Sequence, residues 1–266
     1  MRYGAEILMM FKNNNFIRLC NGLIILLSSL FVESKEFDYR FQWLSLPVAS
    51  LSIDFDELSH VNNDIKPHIT NFKLSTQGPL RLYRKYSSQG YIKYDPGISW
   101  DYYLSGNDRG QPEEKHITYF YNMAPKIRKF IDDKGVDPIL IDPLLDIGAI
   151  DPFTALTSTI QQLKNEKTCN NIFFVMDGKR RNEVKLLFID KNDISLSKTK
   201  LQGDIYHCQF KLSNRKTIEL NKTKKQWPFE EKDKRIDVWF SERLDFIPVK
   251  FEFQGPFGKI EGLLVE

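Results

Sequence analysis

The sequence predicts a mainly β protein, an antiparallel β-barrel or half-barrel of about ten strands with one packed helix at 152–166. Apolar and polar residues alternate over many short segments, which is the pattern of strands with one buried face. Aromatic residues make up 13% of the chain and suit a β-rich core. Only one segment combines clear helical spacing with a helix start signal.

The first strands show the alternation most clearly. In 36–43 the aromatic residues share one face, and in 49–56 Asp54 and Asp56 lie opposite the apolar face. Further candidate strands in this half are 67–75, 89–95, 98–105 and 115–123. In 115–123 one face is lined by Ile117, Tyr119, Tyr121 and Met123. These segments predict an antiparallel sheet.

The helix begins at Asp151-Pro152, because Asp is a favourable N-cap and Pro fits the first helical position. Its inward face repeats at helical spacing through Phe153, Leu156, Ile160 and Leu163. A short turn of helix at 79–86 is a second candidate. The Pro-containing stretch 125–150 is interpreted as an irregular crossing connection.

A hairpin is predicted where Asp177-Gly178 separates the strands 171–176 and 181–189, because Gly accepts the positive φ of a type I′ turn. The remaining candidate strands are 203–212, 236–241, 247–254 and 259–265. One domain, 35–266, accounts for the whole pattern. Within it, 214–235 holds eight basic residues against four acids and is interpreted as a mobile basic loop.

Residues 1–34 are predicted to be a signal peptide, with a short apolar run after Arg18 and cleavage after Ser34. The apolar run is shorter than the roughly 20 residues that span a membrane. An uncleaved anchor in the inner membrane is the alternative. Met10 would make a cleaner start than Met1. We therefore expect a periplasmic protein.

Export leaves Cys169 and Cys208, an even number in an oxidising compartment, and so favours a disulfide over two buried thiols. The cysteines and four scattered histidines have no zinc-site spacing, and we expect no metal or cofactor. A formal net charge of +3 argues against a nucleic-acid binder. The basic loop, which includes Trp227, suits peripheral contact with an anionic membrane.

Catalytic motifs such as the nucleophile elbow or the dinucleotide fingerprint are missing from the sequence. Asp54 and Asp56 are interpreted as solvated surface, and the Asp190–Asp193 stretch as a turn rather than a calcium loop. His116 and His207 are interpreted as structural, although a Ser/His/Asp site stays open as an alternative. The stretch 255–259 is interpreted as a turn rather than a phosphate loop.

Several motifs in order resemble one family of exported bacterial proteins. They are Asp151-Pro-Phe-Thr-Ala-Leu, Cys169, Val175-Met-Asp-Gly-Lys-Arg-Arg181, Cys208, and Val238-Trp-Phe-Ser241 followed by Ile247-Pro-Val-Lys-Phe251. The family is catalogued as domain of unknown function 3108, and its proteobacterial branch is the closer likeness. The resemblance implies an envelope location and a cysteine pair, with no established activity and no site residues.

We therefore expect a non-enzymatic envelope protein that binds a lipid, a glycan or an envelope protein. A hollow barrel would favour the lipid, since side chains then leave an apolar cavity. The alternative is an envelope hydrolase with an unrecognised Ser/His/Asp site. A third possibility is a structural partner protein that acts through its surface, with 214–235 as the contact.

Overall fold

The computed structural model describes residues 35–56, 68–95, 99–132, 135, 137–193, 203–214, 234–255 and 258–265. The predicted signal peptide therefore lies outside the described residues, as do residues 215–233 of the predicted basic loop. In the described part of the chain, no helix is long and apolar enough to cross a membrane.

The first half of the described chain forms seven strands and one short helix. They are β1 (Lys35–Trp43), β2 (Leu46–Asp56), β3 (His68–Thr76), α1 (Gly78–Tyr83), β4 (Tyr86–Asp95), β5 (Ser99–Asp108), β6 (Gln111–Phe120) and β7 (Lys126–Ile131). The second half consists of α2 (Pro152–Glu166), β8 (Asn171–Met176), β9 (Arg181–Asp193), β10 (Asp204–Asn214), β11 (Lys234–Ser241), a 3-10 turn (Glu242–Leu244), β12 (Ile247–Gly255) and β13 (Gly258–Val265).

All thirteen strands belong to one antiparallel sheet in the order β7-β6-β5-β4-β3-β2-β1-β13-β12-β11-β10-β9-β8. The chain moves outward from β1 to β7, crosses through α2 to β8, and returns strand by strand to β13 beside β1. Antiparallel neighbours need only short turns, which explains this meandering order. The edge strands β7 and β8 do not pair with each other, so the sheet is an open half-barrel. The predicted mainly β fold with one main helix is confirmed, with more strands than expected.

Helix α2 packs against the inner face of the curled sheet. Ile160 and Leu163 are fully buried, and the rings of Phe153 and Phe72 stack with centroids 4.1 Å apart. Inward aromatic residues of β1 and β5 join the same core. The described interior is thus filled by side chains.

Asp151 caps α2 as predicted and also joins the helix to the sheet. Its Oδ1 accepts hydrogen bonds from the backbone N–H groups of Phe153 and Thr154, each at 2.9 Å. Its Oδ2 accepts from the Trp100 indole at 2.8 Å and from the Thr154 hydroxyl. Complete burial raises the pKa of the Asp151 carboxyl, although these hydrogen bonds act in the opposite direction.

The two open edges of the sheet are held together by side chains and by residues 137–150 of the connection between β7 and α2. The Tyr119 hydroxyl donates to Met176 O at 2.6 Å, and Ile139 N donates to Gly178 O at 2.9 Å. Ile150 forms a parallel bridge with Val175. The two edges of the open sheet are therefore bridged by contacts that do not form a strand ladder.

Four details of the sequence interpretation are wrong. Residues 190–193 belong to β9, where they pair with β10, rather than to a turn. Residues 126–131 form β7 rather than irregular chain; they lie at an exposed edge, so their alternation is weak. Strand β6 ends at Phe120, and Tyr121 and Met123 are about half exposed rather than part of the inward face. In the predicted hairpin Gly178 has a positive φ, but neither Asp177 nor Lys179 does, so the turn is not the predicted type I′.

Candidate functional site

The outer face of β1–β6 carries short polar side chains in rows that run across the strands. One row places Ser50 beside Ser75, then Ser87, then Asn107. A second row, one pleat away, consists of Asp38, Ser52, Lys73, Gln89 and Ser105. A third row consists of Glu36, Asp54, Asn71, Tyr91, Tyr103 and His116. The antiparallel register thus brings residues from six strands onto one surface.

This surface is concave. It holds two adjoining depressions of about 410 and 570 Å³, which share Ser52, Lys73 and Gln89. We call the two depressions together the outer groove. Such volumes lie within the range of ligand sites, although this one is open along the sheet.

Two glycines of the inner face lie beneath the outer groove. Gly90 of β4 pairs with Phe72, and a Cβ at Gly90 would lie 2.2 Å from Phe72 Cζ. Gly106 of β5 pairs with Ser88, and a Cβ there would lie 2.9 Å from Ser88 Cβ. Glycines inside strands allow tight bends and close approach of neighbours. Neighbouring strands therefore approach so closely beneath the outer groove that neither position has room for a side chain.

A pair of tyrosines forms one wall of the outer groove. The rings of Tyr91 and Tyr103 stack with centroids 5.1 Å apart and an interplanar angle of 23°. Tyr91 is 42% exposed, so one face of its ring is open to a ligand. The Tyr103 hydroxyl donates to Glu114 Oε1 at 3.4 Å. The pair presents a fixed aromatic surface beside hydrogen-bonding groups.

The polar groups of the groove are partly preorganised. Asn71 Nδ2 donates to Asp54 Oδ2 at 3.2 Å, and the Ser52 hydroxyl donates to Glu36 Oε1 at 2.5 Å. Each of these four side chains keeps further hydrogen-bonding capacity, since a carboxylate accepts at two oxygens and an amide both donates and accepts. The groove can therefore bind a ligand rich in hydroxyl or amide groups.

Neither histidine is placed in a hydroxyl–histidine–carboxylate relay. His116 Nε2 lies 3.4 Å from Asp101 Oδ1, but the nearby Thr118 hydroxyl donates to that same carboxylate at 2.7 Å rather than to the imidazole. A relay would need the hydroxyl on the other ring nitrogen. His116 thus contacts one carboxylate at the border of the groove.

His207 lies on the other half of the sheet, away from the groove. Its Nε2 is 3.0 Å from Asp237 Oδ1, and its Nδ1 is 3.5 Å from Asp190 Oδ1. The imidazole stacks on Trp239 with centroids 4.3 Å apart. Both nitrogens thus face carboxylates, which leaves neither free to take a proton from a serine. Among the described residues, no group of three or more His, Cys, Asp or Glu side chains could hold a metal ion.

Cys169 and Cys208 form a disulfide between the α2–β8 connection and β10, with their Cα atoms 6.3 Å apart. Both residues are fully buried.

Gly255 pairs with Gly258 across the β12–β13 connection, in agreement with the interpretation of this stretch as a turn. Sequence reasoning placed Asp54 on a polar face but missed the groove, because strand pairing is not local; the repeated serines of β2, β3 and β4 were the available signal.

The family model for "Protein of unknown function (DUF3108)" matches residues 38–265. The chain belongs to the DUF3108 family. The resemblance inferred from the motifs is confirmed at this level, while the proteobacterial branch stays a prediction. Comparison of this DUF3108 protein with curated proteins gives no significant match.

A solved structure shares the fold of this DUF3108 protein. It is a β-barrel-like protein of domain of unknown function DUF1849 from Brucella abortus, with a TM-score of 0.57 and 11% sequence identity. The match covers 88% of this chain and 95% of that chain. At this identity the likeness concerns the fold alone.

Proposed function

We propose that this DUF3108 protein is an exported, non-enzymatic binding protein of the bacterial cell envelope that binds a glycan along the outer groove. The observation that carries the proposal is the concave outer surface of β1–β5, where two rows of polar side chains lie beside a third row that contains the stacked pair Tyr91–Tyr103.

The chemistry of the groove favours a glycan over a lipid. A sugar ring has hydroxyl groups around its edge and C–H groups on its faces, so it needs both hydrogen-bonding partners and an aromatic surface. Ser52, Asn71 and Gln89 offer the hydrogen-bonding groups, and Tyr91 offers the aromatic face. The described interior is filled by the core, which argues against the lipid carrier that a hollow barrel would have favoured.

The shape of the groove favours an extended ligand. The two depressions adjoin and open along the outer face across several strands. A small molecule is usually enclosed over most of its surface, whereas a chain can be bound by many shallow contacts in series. Several sugar units of one glycan strand can therefore contact successive rows.

The envelope location rests on two supports. The predicted signal peptide at 1–34 directs export, and the disulfide between Cys169 and Cys208 suits an oxidising compartment. In a periplasmic protein the N-terminus is cleaved after Ser34, whereas in the alternative it is retained as an inner-membrane anchor. Fractionation of cells, with N-terminal sequencing of the recovered protein, distinguishes them; recovery from the cytoplasm alone would refute both.

Glycan binding is tested on an array of bacterial envelope glycans, including peptidoglycan fragments and lipopolysaccharide core oligosaccharides. Titration calorimetry then follows with the strongest binder. Tyr91→Ala should weaken binding about tenfold, because an aromatic contact contributes about 1.4 kcal/mol. The matched control is Tyr121→Ala, which removes a tyrosine that is 47% exposed in the β6–β7 connection. No binding to any glycan, or equal losses in the two variants, would overturn the proposal.

A further inference from the structure

Three connections lie side by side at one rim of the half-barrel. They are the β1–β2 turn, the segment 77–85 containing α1, and the β5–β6 turn. Gln77 N donates to Val48 O at 2.7 Å, which holds the start of α1 against β2. Arg109 N donates to Lys85 O at 2.7 Å, which holds the β5–β6 turn against the end of the same segment. We call this continuous surface the basic rim.

Large apolar side chains project from the basic rim into solvent. Leu82 of α1 is 93% exposed, and Leu44 in the β1–β2 turn is 78% exposed. Leu46, two residues further along the chain, is 47% exposed. Leu80, in contrast, packs against the core and so anchors α1. The exposed leucines therefore contribute little to the fold, and several of them together indicate a contact surface.

Leu44 also adopts an unfavourable backbone conformation. Its φ is 48° and that of Ser45 is 66°, so both central residues of the turn are left-handed. Gly, Asn and Asp are the residues that adopt this conformation readily, whereas a leucine there is strained. A strained and exposed leucine at a turn tip is the kind of outlier from which a function can be inferred.

The same rim is basic. Its segments 43–47, 77–86 and 108–111 contain four basic residues against one acid, a net charge of +3. The one acid, Asp108, is buried; it is paired with Arg84, and its Oδ1 lies 3.6 Å from Arg109 Nε. Arg81 and Lys85 are exposed, and the side chain of Arg109 is 58% exposed. The exposed cations and the projecting leucines therefore belong to the same rim.

We propose that the basic rim docks peripherally on an anionic lipid bilayer. Leu44 and Leu82 enter the boundary between headgroups and acyl chains, while Arg81, Lys85 and Arg109 contact lipid phosphates. The charge of the rim is complementary to such a surface, and apolar side chains flanked by basic ones are the pattern of interfacial anchors. This surface differs from the predicted loop 214–235, and the inference is independent of glycan binding.

A fluorescence experiment tests insertion at one chosen position. The environment-sensitive dye NBD is attached to Leu82→Cys in a Cys20→Ser background. The remaining two cysteines then form the buried disulfide and do not react with the dye. The matched control is Met123→Cys, a site 54% exposed in the β6–β7 connection. Because the dye reports its own surroundings, membrane contact by the N-terminal segment does not produce the signal at position 82.

With vesicles of phosphatidylglycerol and phosphatidylcholine, the dye at position 82 should brighten and shift to the blue, while the dye at 123 should not. Vesicles of phosphatidylcholine alone should give little change. Substituting Arg81, Lys85 and Arg109 by Gln together should lower the partition coefficient about 100-fold, at about fivefold for each residue. The inference is wrong if the dye at 82 does not respond, if both dyes respond equally, or if the triple variant partitions like the parent.

Discussion

Asp151 stabilises two parts of the fold at once, and its removal should therefore cost more than an ordinary helix cap. Asp151→Ala deletes the N-cap of α2, which is typically about 1 kcal/mol. It also leaves the indole N–H of Trp100 buried without its acceptor; Trp100 is 2% exposed, and an orphaned buried donor costs about 1–3 kcal/mol. The free energy of unfolding should fall by about 2–4 kcal/mol.

For a domain of this size that loss lowers the melting temperature by about 5–15 °C, which circular dichroism measures directly. The control is Asp95→Ala, an exposed carboxylate at the end of β4, expected to change stability by less than about 0.5 kcal/mol. In a Trp100→Phe background no indole donor remains. There Asp151→Ala should cost only the cap, about 1 kcal/mol.

Additive losses in this double-mutant cycle would refute the reasoning, because the orphaned donor would then contribute nothing. So would a melting temperature of Asp151→Ala within error of the parent protein. Either result would mean that α2 is held by its apolar face alone, through Ile160 and Leu163.

Three further outcomes are expected. Replacing Cys169 and Cys208 together by Ala should lower the free energy of unfolding by about 4 kcal/mol in denaturant titrations, since the bridge closes a loop of about 40 residues; an unchanged midpoint would contradict this. Leu44→Asn should raise the melting temperature by about 2–4 °C, because Asn adopts a positive φ more readily, and a decrease would show that Leu44 supports the fold. Burial raises the pKa of Tyr86 to about 12, so the folded state retains a proton that the unfolded state loses near pH 10. The free energy of unfolding should therefore fall as the pH rises from about 10 to 12. If a Tyr86→Phe variant loses as much stability as the parent over this range, Tyr86 is not a contributor.

The local patterns predicted the elements that depend on near neighbours. Alternation in 36–43 predicted which side chains of β1 point inward, since successive side chains of a strand point to opposite faces. Asp151-Pro152 predicted the position at which α2 begins, because an N-cap residue forms hydrogen bonds only with the next few residues. The short, exposed strand β7 was missed, because its few buried contacts leave no clear alternation.

The outer groove and the basic rim arise from the tertiary structure. The register that places Ser50, Ser75 and Ser87 in one row depends on pairing between separate strands, and no local window of sequence contains that information. Local patterns in the sequence were sufficient to predict the β class, the long helix and the polarity of those strand faces that alternate clearly. Only the folded sheet determined which polar faces adjoin and where they become concave, because pairing and curvature arise from contacts between residues far apart in the chain.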